Sequence, residues 1–239
     1  MSQWYLGYGS NLNRETFLGR RAIRPLREEH VTVDGWFLTF DIAGVPYGEP
    51  AFGSIQQVTE HAPTLQGMAY LVTQKDFDHI IATEGGSISY KQIHVEGKTD
   101  AGELLELTTL QARHPRRHCQ PSQRYLGLIQ QGARQHDFPK GYQHYLDSLE
   151  PFRLHGKKQK LGAAIFLGFW LPIIMAIFGI QELLSKAGLP VPSFLPAFAG
   201  ICFKMMWWIH DRIWADRFGR GDHNEGYDLR VALALHAAV

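Results

Sequence analysis

Apolar positions come in short clusters over the first 150 residues and then fuse into long uninterrupted runs. In the first part, β-rich stretches are punctuated by Gly, Pro and Asp. This pattern predicts strands over Gln3–Tyr8, Val31–Phe40, Phe52–Val58, Gly67–Thr73, Tyr90–Val95 and Leu104–Leu110. Most lie too close together for a crossover helix between every pair, so a largely antiparallel or barrel-like sheet is expected. Helical patterning is sparser. It marks Asn13–Arg20, Gln74–Thr83 with Thr73 and Asp76 spaced as a capping pair, and Lys140–Leu149. A further helix is expected to open with Pro121 in its first turn and to bury Tyr125, Leu128, Ile129 and Gly132.

After Pro151 the pattern changes. A basic stretch runs into Leu161–Ile180, twenty residues without a charge, which as a helix would span about 30 Å, the thickness of a bilayer's hydrocarbon core. A second apolar stretch, Leu189–Ile209, is interrupted by three prolines and Lys204. Trp207, Trp208 and Trp214 have the character of an interfacial aromatic belt, although a domain core could use them too. Positive charge sits on the outer flanks at Arg153, Lys157, Lys158, Lys160, Arg212, Arg217 and Arg220, and the connector offers only Lys186. That asymmetry fits a hairpin with both ends cytosolic, and equally one span followed by an interfacial helix. The expected organisation is a globular unit over 1–152, a basic linker over 153–160, membrane segments over 161–214 and a tail over 215–239, in which Arg220-Gly221-Asp222 reads as a turn.

Composition narrows the classes. With 45% hydrophobic and 20% charged residues the chain can bury a core, and a formal net charge of +1 lacks the footprint of a nucleic-acid binder. The balance is uneven: residues 1–150 carry 14 Lys/Arg against 17 Asp/Glu, and residues 151–239 carry 10 against 6. Two cysteines, Cys119 and Cys202, cannot form a disulfide framework, which points to a reducing compartment. The first residues lack a basic-then-apolar signal pattern, so synthesis is expected to begin in the cytosol. His114, His118 and Cys119 form the one His/Cys cluster in the sequence, but no fourth ligand is evident and a basic surface loop is the simpler reading.

Three local elements could carry chemistry. Leu6–Leu12, LGYGSNL, places two glycines where a strand becomes a turn, and consecutive N–H groups there can cradle a carboxylate or a phosphate. A plain tight turn would read the same. Glu84 ends a helix ahead of Gly85 and Gly86; the negative end of the helix dipole and the expected apolar neighbours both favour its protonated form, which suits a general acid/base. The third element, from Pro121 to Leu146, is ordinary packing by itself.

Together, GYGSNL, EGG with a Tyr six residues after the Glu, and PSxRYxxxxxxGAxxxxxP resemble the γ-glutamylcyclotransferase family over roughly residues 3–150. The resemblance implies an α+β fold, a small mixed, mainly antiparallel barrel with flanking helices, here followed by a hydrophobic helical region. It also implies a loop of Tyr8, Gly9, Ser10, Asn11 and Leu12 that binds the glutamyl end of a substrate. Glu84 is the implied catalytic proton shuttle, and Tyr90 and Tyr125 match pocket tyrosines. The segment GGSISY departs from the family's usual single Gly and bulkier residues, and the hydrophobic tail has no counterpart in the minimal soluble enzyme.

The implied reaction closes 5-oxoproline by attack of the substrate's own α-amine on its γ-carbonyl. It needs neither a metal nor a cofactor. The expected substrates are γ-glutamyl amides or glutathione-derived conjugates, in a setting such as the biosynthesis of a sulfur-containing secondary metabolite, with the catalytic unit facing the cytosol from a membrane. A non-catalytic module of the same fold that captures a small carboxylate is the competing reading. For the tail, a soluble dimer interface competes with the bilayer. The amine half of the substrate and the oligomeric state are not readable from the residues.

Overall fold

In the computed structural model, which describes residues 2–58, 62–84, 89–116, 119–192 and 194–227, seven strands make up most of the chain before residue 113. They are β1 (Ser2–Gly7), β2 (Arg27–Val33), β3 (Trp36–Val45), β4 (Glu49–Gln57), β5 (Leu65–Thr73), β6 (Tyr90–Thr99) and β7 (Leu104–Ala112). Five of them close a barrel in the order β1-β5-β2-β6-β7, while β3 and β4 form a separate hairpin. The barrel's neighbours are antiparallel except at its closure, where β1 meets β7 in parallel at Tyr5 and Thr108. The sheet is therefore mixed and mainly antiparallel, in the α+β class expected.

One predicted strand is two. Val31–Phe40 is broken at Asp34-Gly35, where Gly35 takes φ 77°, a left-handed backbone that an Asp-Gly pair adopts readily in a turn. The reversal takes Trp36 and the residues after it out of the barrel and into the β3–β4 hairpin.

The first helix, α1 (Gln74–Thr83), is capped as expected, with the Asp76 N–H donating to Thr73 Oγ1 at 3.2 Å. The helix α2 (Gln123–Gln135) starts two residues later than expected. Pro121 lies outside it, and Ser122 is its cap, accepting from the Tyr125 N–H at 3.0 Å. Its buried face is Tyr125, Leu126, Ile129, Gly132 and Ala133, so Leu126 takes the inward place expected for the half-buried Leu128. A short helix, α3 (Lys140–Ser148), follows. The helix expected over Asn13–Arg20 is a wider turn, Glu15–Arg20, in which the Arg21 N–H reaches back five residues to Thr16 O at 3.0 Å.

The tail forms α4 (Gly156–Lys186), α5 (Phe194–Ile209), a wide turn His210–Trp214 and α6 (Ala215–Phe218). Helix α5 begins five residues into the predicted stretch, after Pro190 and Pro192. On α4 the buried residues Ala163, Phe166, Trp170, Ile174 and Ile177 recur every three or four positions, and Leu195, Ala199, Cys202 and Met206 do so on α5. The remaining surface is also apolar: Ile165, Phe169, Met175 and Leu183 on α4, and Phe194, Phe198, Ile201 and Trp208 on α5, are all exposed. Among the described residues one helix, over Gly156–Leu184, is long and apolar enough to cross a membrane, and only 28% of its most apolar stretch is buried.

The root of this hairpin is clasped to the barrel side. The Arg116 guanidinium stacks on Trp207 at 4.0 Å and pairs with Asp211 at 2.7 Å and Asp222 at 3.0 Å. The turn read at Arg220-Gly221-Asp222 is part of this clasp. The Gly221 N–H donates to His210 Nε2 at 2.9 Å, and Gly221 O accepts from the Tyr47 N–H at 2.7 Å. Burial acts to raise the Asp222 pKa, but His223, Arg220 and Arg116 outweigh it and hold the carboxyl well below the usual range. His210, Asp211 and Asp222 have the proximity of metal ligands, yet Arg116 and Arg220 already neutralise both carboxylates.

Candidate active site

Strand β1 stops at Gly7 and the chain folds into a tight turn, with the Leu12 N–H on Gly9 O at 3.0 Å and the Asn13 N–H on Ser10 O at 3.1 Å. Helix α2 holds the turn from behind. A Cβ on Gly132 would lie 2.5 Å from the Leu12 backbone, so only glycine lets the two segments meet this closely. His136 adds a contact to Leu12 O at 3.1 Å; burial and the nearby Arg14 charge push its pKa down to about 4, so it is a neutral donor there.

Glu84 arrives from the other side. Phe77, Ile80 and Glu84 share one face of α1 at spacings of three and four, and the first two are buried, so the packing of that face aims the carboxylate inward. Strands β1 and β5 are paired along their length, and α1 follows β5 directly, which returns the helix end to the opening turn. Asn11 Nδ2 donates to Glu84 Oε1 at 2.8 Å and to the Tyr5 hydroxyl at 2.8 Å. The apolar neighbours expected around Glu84 are replaced by a cation and an amide: Arg21 pairs with the same Oε1 at 2.5 Å and also donates to Thr83. The Glu84 side chain keeps 17% exposure, enough to face a ligand.

These groups line a small pocket walled by Tyr5, Tyr8, Gly9, Asn11, Tyr90 and Tyr125, and among the described residues Glu84 is the one acidic group in its lining. The Tyr125 hydroxyl accepts from the Gly53 N–H at 3.0 Å, and a Cβ on Gly9 would crowd that oxygen at 2.9 Å. Tyr8 donates to Leu110 O, and Tyr90 donates to Gly53 O at 3.3 Å. Burial, followed by neighbouring negative charge, raises the pKa of Tyr5, Tyr8 and Tyr90, and burial pushes Tyr125 up to about 12. The four phenols therefore stay neutral near pH 7, which leaves Glu84 as the acceptor for a proton within the pocket.

Of the predicted site residues, Tyr8, Gly9, Ser10, Asn11, Glu84, Tyr90 and Tyr125 line this one pocket. Leu12 does not. Its side chain is wholly buried against α2 and its N–H is spent on Gly9 O, so it shapes the loop without offering a group to a ligand. Gly85, Gly86 and His118 lie outside the described residues. Sequence reasoning missed Tyr5, Gly53, Leu110 and Arg21. Tyr5 could have been found from its place in β1, whereas nothing local distinguishes Arg21 from the basic residues beside it.

The arrangement of a glycine loop, an inward carboxylate and hydroxyls on opposite walls coincides with similarity along nearly the whole chain. Residues 64–146 match the AIG2-like family and residues 156–216 match the AclK C-terminal domain. The γ-glutamyl cyclotransferase aclK of Aspergillus oryzae is 37% identical over 92% of this chain and 89% of its own length. The chain belongs to the γ-glutamyl cyclotransferase family of enzymes. The γ-glutamyl cyclotransferase gliK of Aspergillus fumigatus is 35% identical over the same shares of the two chains. A solved γ-glutamyl cyclotransferase structure superposes with a TM-score of 0.57 at 22% identity, covering 66% of this chain and 93% of the other, and so shares its fold.

Proposed function

We propose that this cyclotransferase releases 5-oxoproline from γ-glutamyl amides, including glutathione-derived conjugates, with Glu84 as its proton shuttle. The observation that carries this reading is the carboxylate held at the mouth of the Gly9–Asn11 turn by Asn11 and Arg21. The backbone N–H groups of Gly9, Ser10 and Asn11 and the Ser10 hydroxyl bind the α-carboxylate or the developing oxyanion. Holding the glutamyl chain bent places its α-amine on its own γ-carbonyl, an intramolecular arrangement that can supply several kcal/mol, roughly 7–11 in well-oriented cases. Glu84 takes a proton from the α-ammonium, the freed amine forms the new C–N bond, and the tetrahedral centre expels the amine half. Two protons leave the α-nitrogen and two reach the departing nitrogen, with Glu84 accepting and returning them in turn.

The setting that fits is the biosynthesis of a sulfur-containing secondary metabolite, in keeping with the fungal relatives. The apolar outer face of α4 and α5 and the basic residues at their root support a membrane anchor with the pocket on the cytosolic side. Incubation with a panel of γ-glutamyl amides, with 5-oxoproline as the readout, tests the activity. Product from the wild type that Glu84→Gln does not form supports it. Equal product from both would remove Glu84 from the mechanism, and none from any substrate would favour a carboxylate-binding module. Extraction at high pH tests the anchor: release into the supernatant would favour a soluble interface.

A further inference from the structure

Three arginines, Arg20, Arg21 and Arg24, cluster at the end of the wide turn over Glu15–Arg20. Arg20 donates to Thr16 Oγ1 at 3.0 Å and Arg24 to Leu18 O, both within the turn. Arg21 reaches out of it. Its Nη2 pairs with Glu84 Oε1 at 2.5 Å and its Nη1 donates to Thr83 Oγ1, so the guanidinium bridges the last residue of α1 and the carboxylate that follows. Thr83 Oγ1 donates in turn to His79 O at 2.9 Å, which ties the bridge to the body of the helix. The left-handed backbone of the next residue, Ala22 at φ 53°, turns the chain away directly after Arg21.

This placement is costly by itself. The Arg21 side chain is 14% exposed, and its Nε is buried with no hydrogen-bond partner among the described residues, a desolvation loss that the contacts of the two terminal nitrogens offset. What those contacts secure is the carboxylate. Glu84 follows α1 at its C-terminal end, where the helix dipole is negative, and Arg21 brings the opposing positive charge to that point. Arg21 and Asn11 both donate to Oε1, and among the described residues no donor holds Oε2. Arg21 is not among the described residues that line the pocket, so it stands behind the carboxylate and not beside a ligand.

We propose that Arg21 is the positioning residue of the proton shuttle: it fixes Oε1 and leaves Oε2 as the oxygen that exchanges protons with the substrate. Oε2 takes each proton from the α-nitrogen and gives it to the departing nitrogen, so Glu84 ends the cycle as the carboxylate it began. The inference rests on the cyclotransferase reading above and adds to it the residue that orients the acid/base. The planar fork of an arginine suits this task, because it can hold Thr83 and Glu84 at once, whereas a lysine offers a single point charge.

The test is a kinetic cycle of Arg21→Ala and Glu84→Gln in the full chain, with a γ-glutamyl dipeptide as substrate. Arg21→Ala should lower kcat about 10- to 100-fold, the range that a small misplacement of a reacting group costs, and leave KM within a few-fold of wild type. Millimolar guanidinium ion should raise kcat of the alanine variant and not of the wild type, and Arg21→Lys should fall between the two. Removing Arg21 from Glu84→Gln should cost nothing further. A wild-type kcat in Arg21→Ala, with or without a rise in KM, overturns the proposal. An equal loss of kcat in both backgrounds, the mark of a merely structural role, overturns it too.

Denaturant unfolding of the same four proteins separates this idea from the activity itself. If the wild type yields no 5-oxoproline, the cyclotransferase reading falls; Arg21 still stands as the residue that holds this carboxylate if the unfolding constant of the double variant changes by less than the product of the two single changes. Independent effects of the two substitutions on unfolding overturn the pairing, whatever the activity.

Discussion

Around Glu84 the chain turns polar groups inward and ties them to one another, whereas along α4 and α5 it turns large apolar side chains outward. The pocket draws on residues far apart in sequence, Tyr5, Asn11, Arg21, Glu84 and Tyr125, and their positions depend on strand pairing and on the packing of α1 and α2. The hairpin is organised by local periodicity alone, a buried seam every three or four residues with apolar residues on the other faces as well. One region is thus specified by long-range contacts and the other by composition. Among the described residues they meet at the Arg116–Asp222 clasp, around Tyr47, and where Trp207 Nε1 donates to Gly44 O at 3.0 Å.

The largest effect should come from reversing the character of the outer face. Phe169, Met175 and Leu183 are 60%, 69% and 69% exposed, and replacing all three by charged residues would cost roughly 2.5–3.5 kcal/mol each inside a bilayer. Liposome flotation should find the wild type with the lipid and the triple variant in solution, with cyclotransferase activity retained. Equal flotation would show that this face does not meet lipid.

Cutting the clasp sharpens the comparison from the other side. Asp222→Ala leaves Arg116 and Arg220 without a buried partner. Loss of a buried ion pair costs about 3–5 kcal/mol; because both arginines are partly exposed, about 2–3 is expected here, read as a lower Tm. The sign with pH follows from the lowered Asp222 pKa: the stabilisation is complete above the ordinary carboxylate value of about 3.9 and is lost as pH falls through the folded value. The variant should therefore differ most from wild type near neutrality and least in strong acid.

A smaller loss is expected at the loop. Gly132→Ala drives a methyl into the Leu12 backbone and should cost about 1–3 kcal/mol, with KM rising because the turn shifts. Denaturant unfolding and substrate titration check the two halves of that statement. His136 predicts the smallest effect. With its pKa pushed down to about 4, its contribution is complete above about pH 6.5 and is lost as pH falls toward 4. His136→Gln should flatten the fall in Tm across that window.

The comparison also explains what could be read from the sequence. The capping pair Thr73 and Asp76, the placement of most strands and the long apolar run were legible because each depends on a few neighbouring residues. The split of Val31–Phe40 was masked by continuous β-rich composition, although Asp34-Gly35 carried the turn chemistry. The loop and Glu84 were legible only as a combination of motifs, and their meeting depends on the β1–β5 pairing. Arg21 was not legible at all, because its role comes from a wide turn that delivers it beside α1. The expectation of apolar surroundings for Glu84 failed for the same reason.

The most direct test is a paired measurement on Glu84→Gln: binding of a γ-glutamyl dipeptide by calorimetry and release of 5-oxoproline from it. The amide can still accept from Asn11 and fill the same space, so affinity should stay within a few-fold of wild type, while turnover should fall about 10²- to 10⁴-fold, the usual contribution of a general acid/base. Turnover at the wild-type rate with intact binding would contradict the proton-shuttle role on which the mechanism rests.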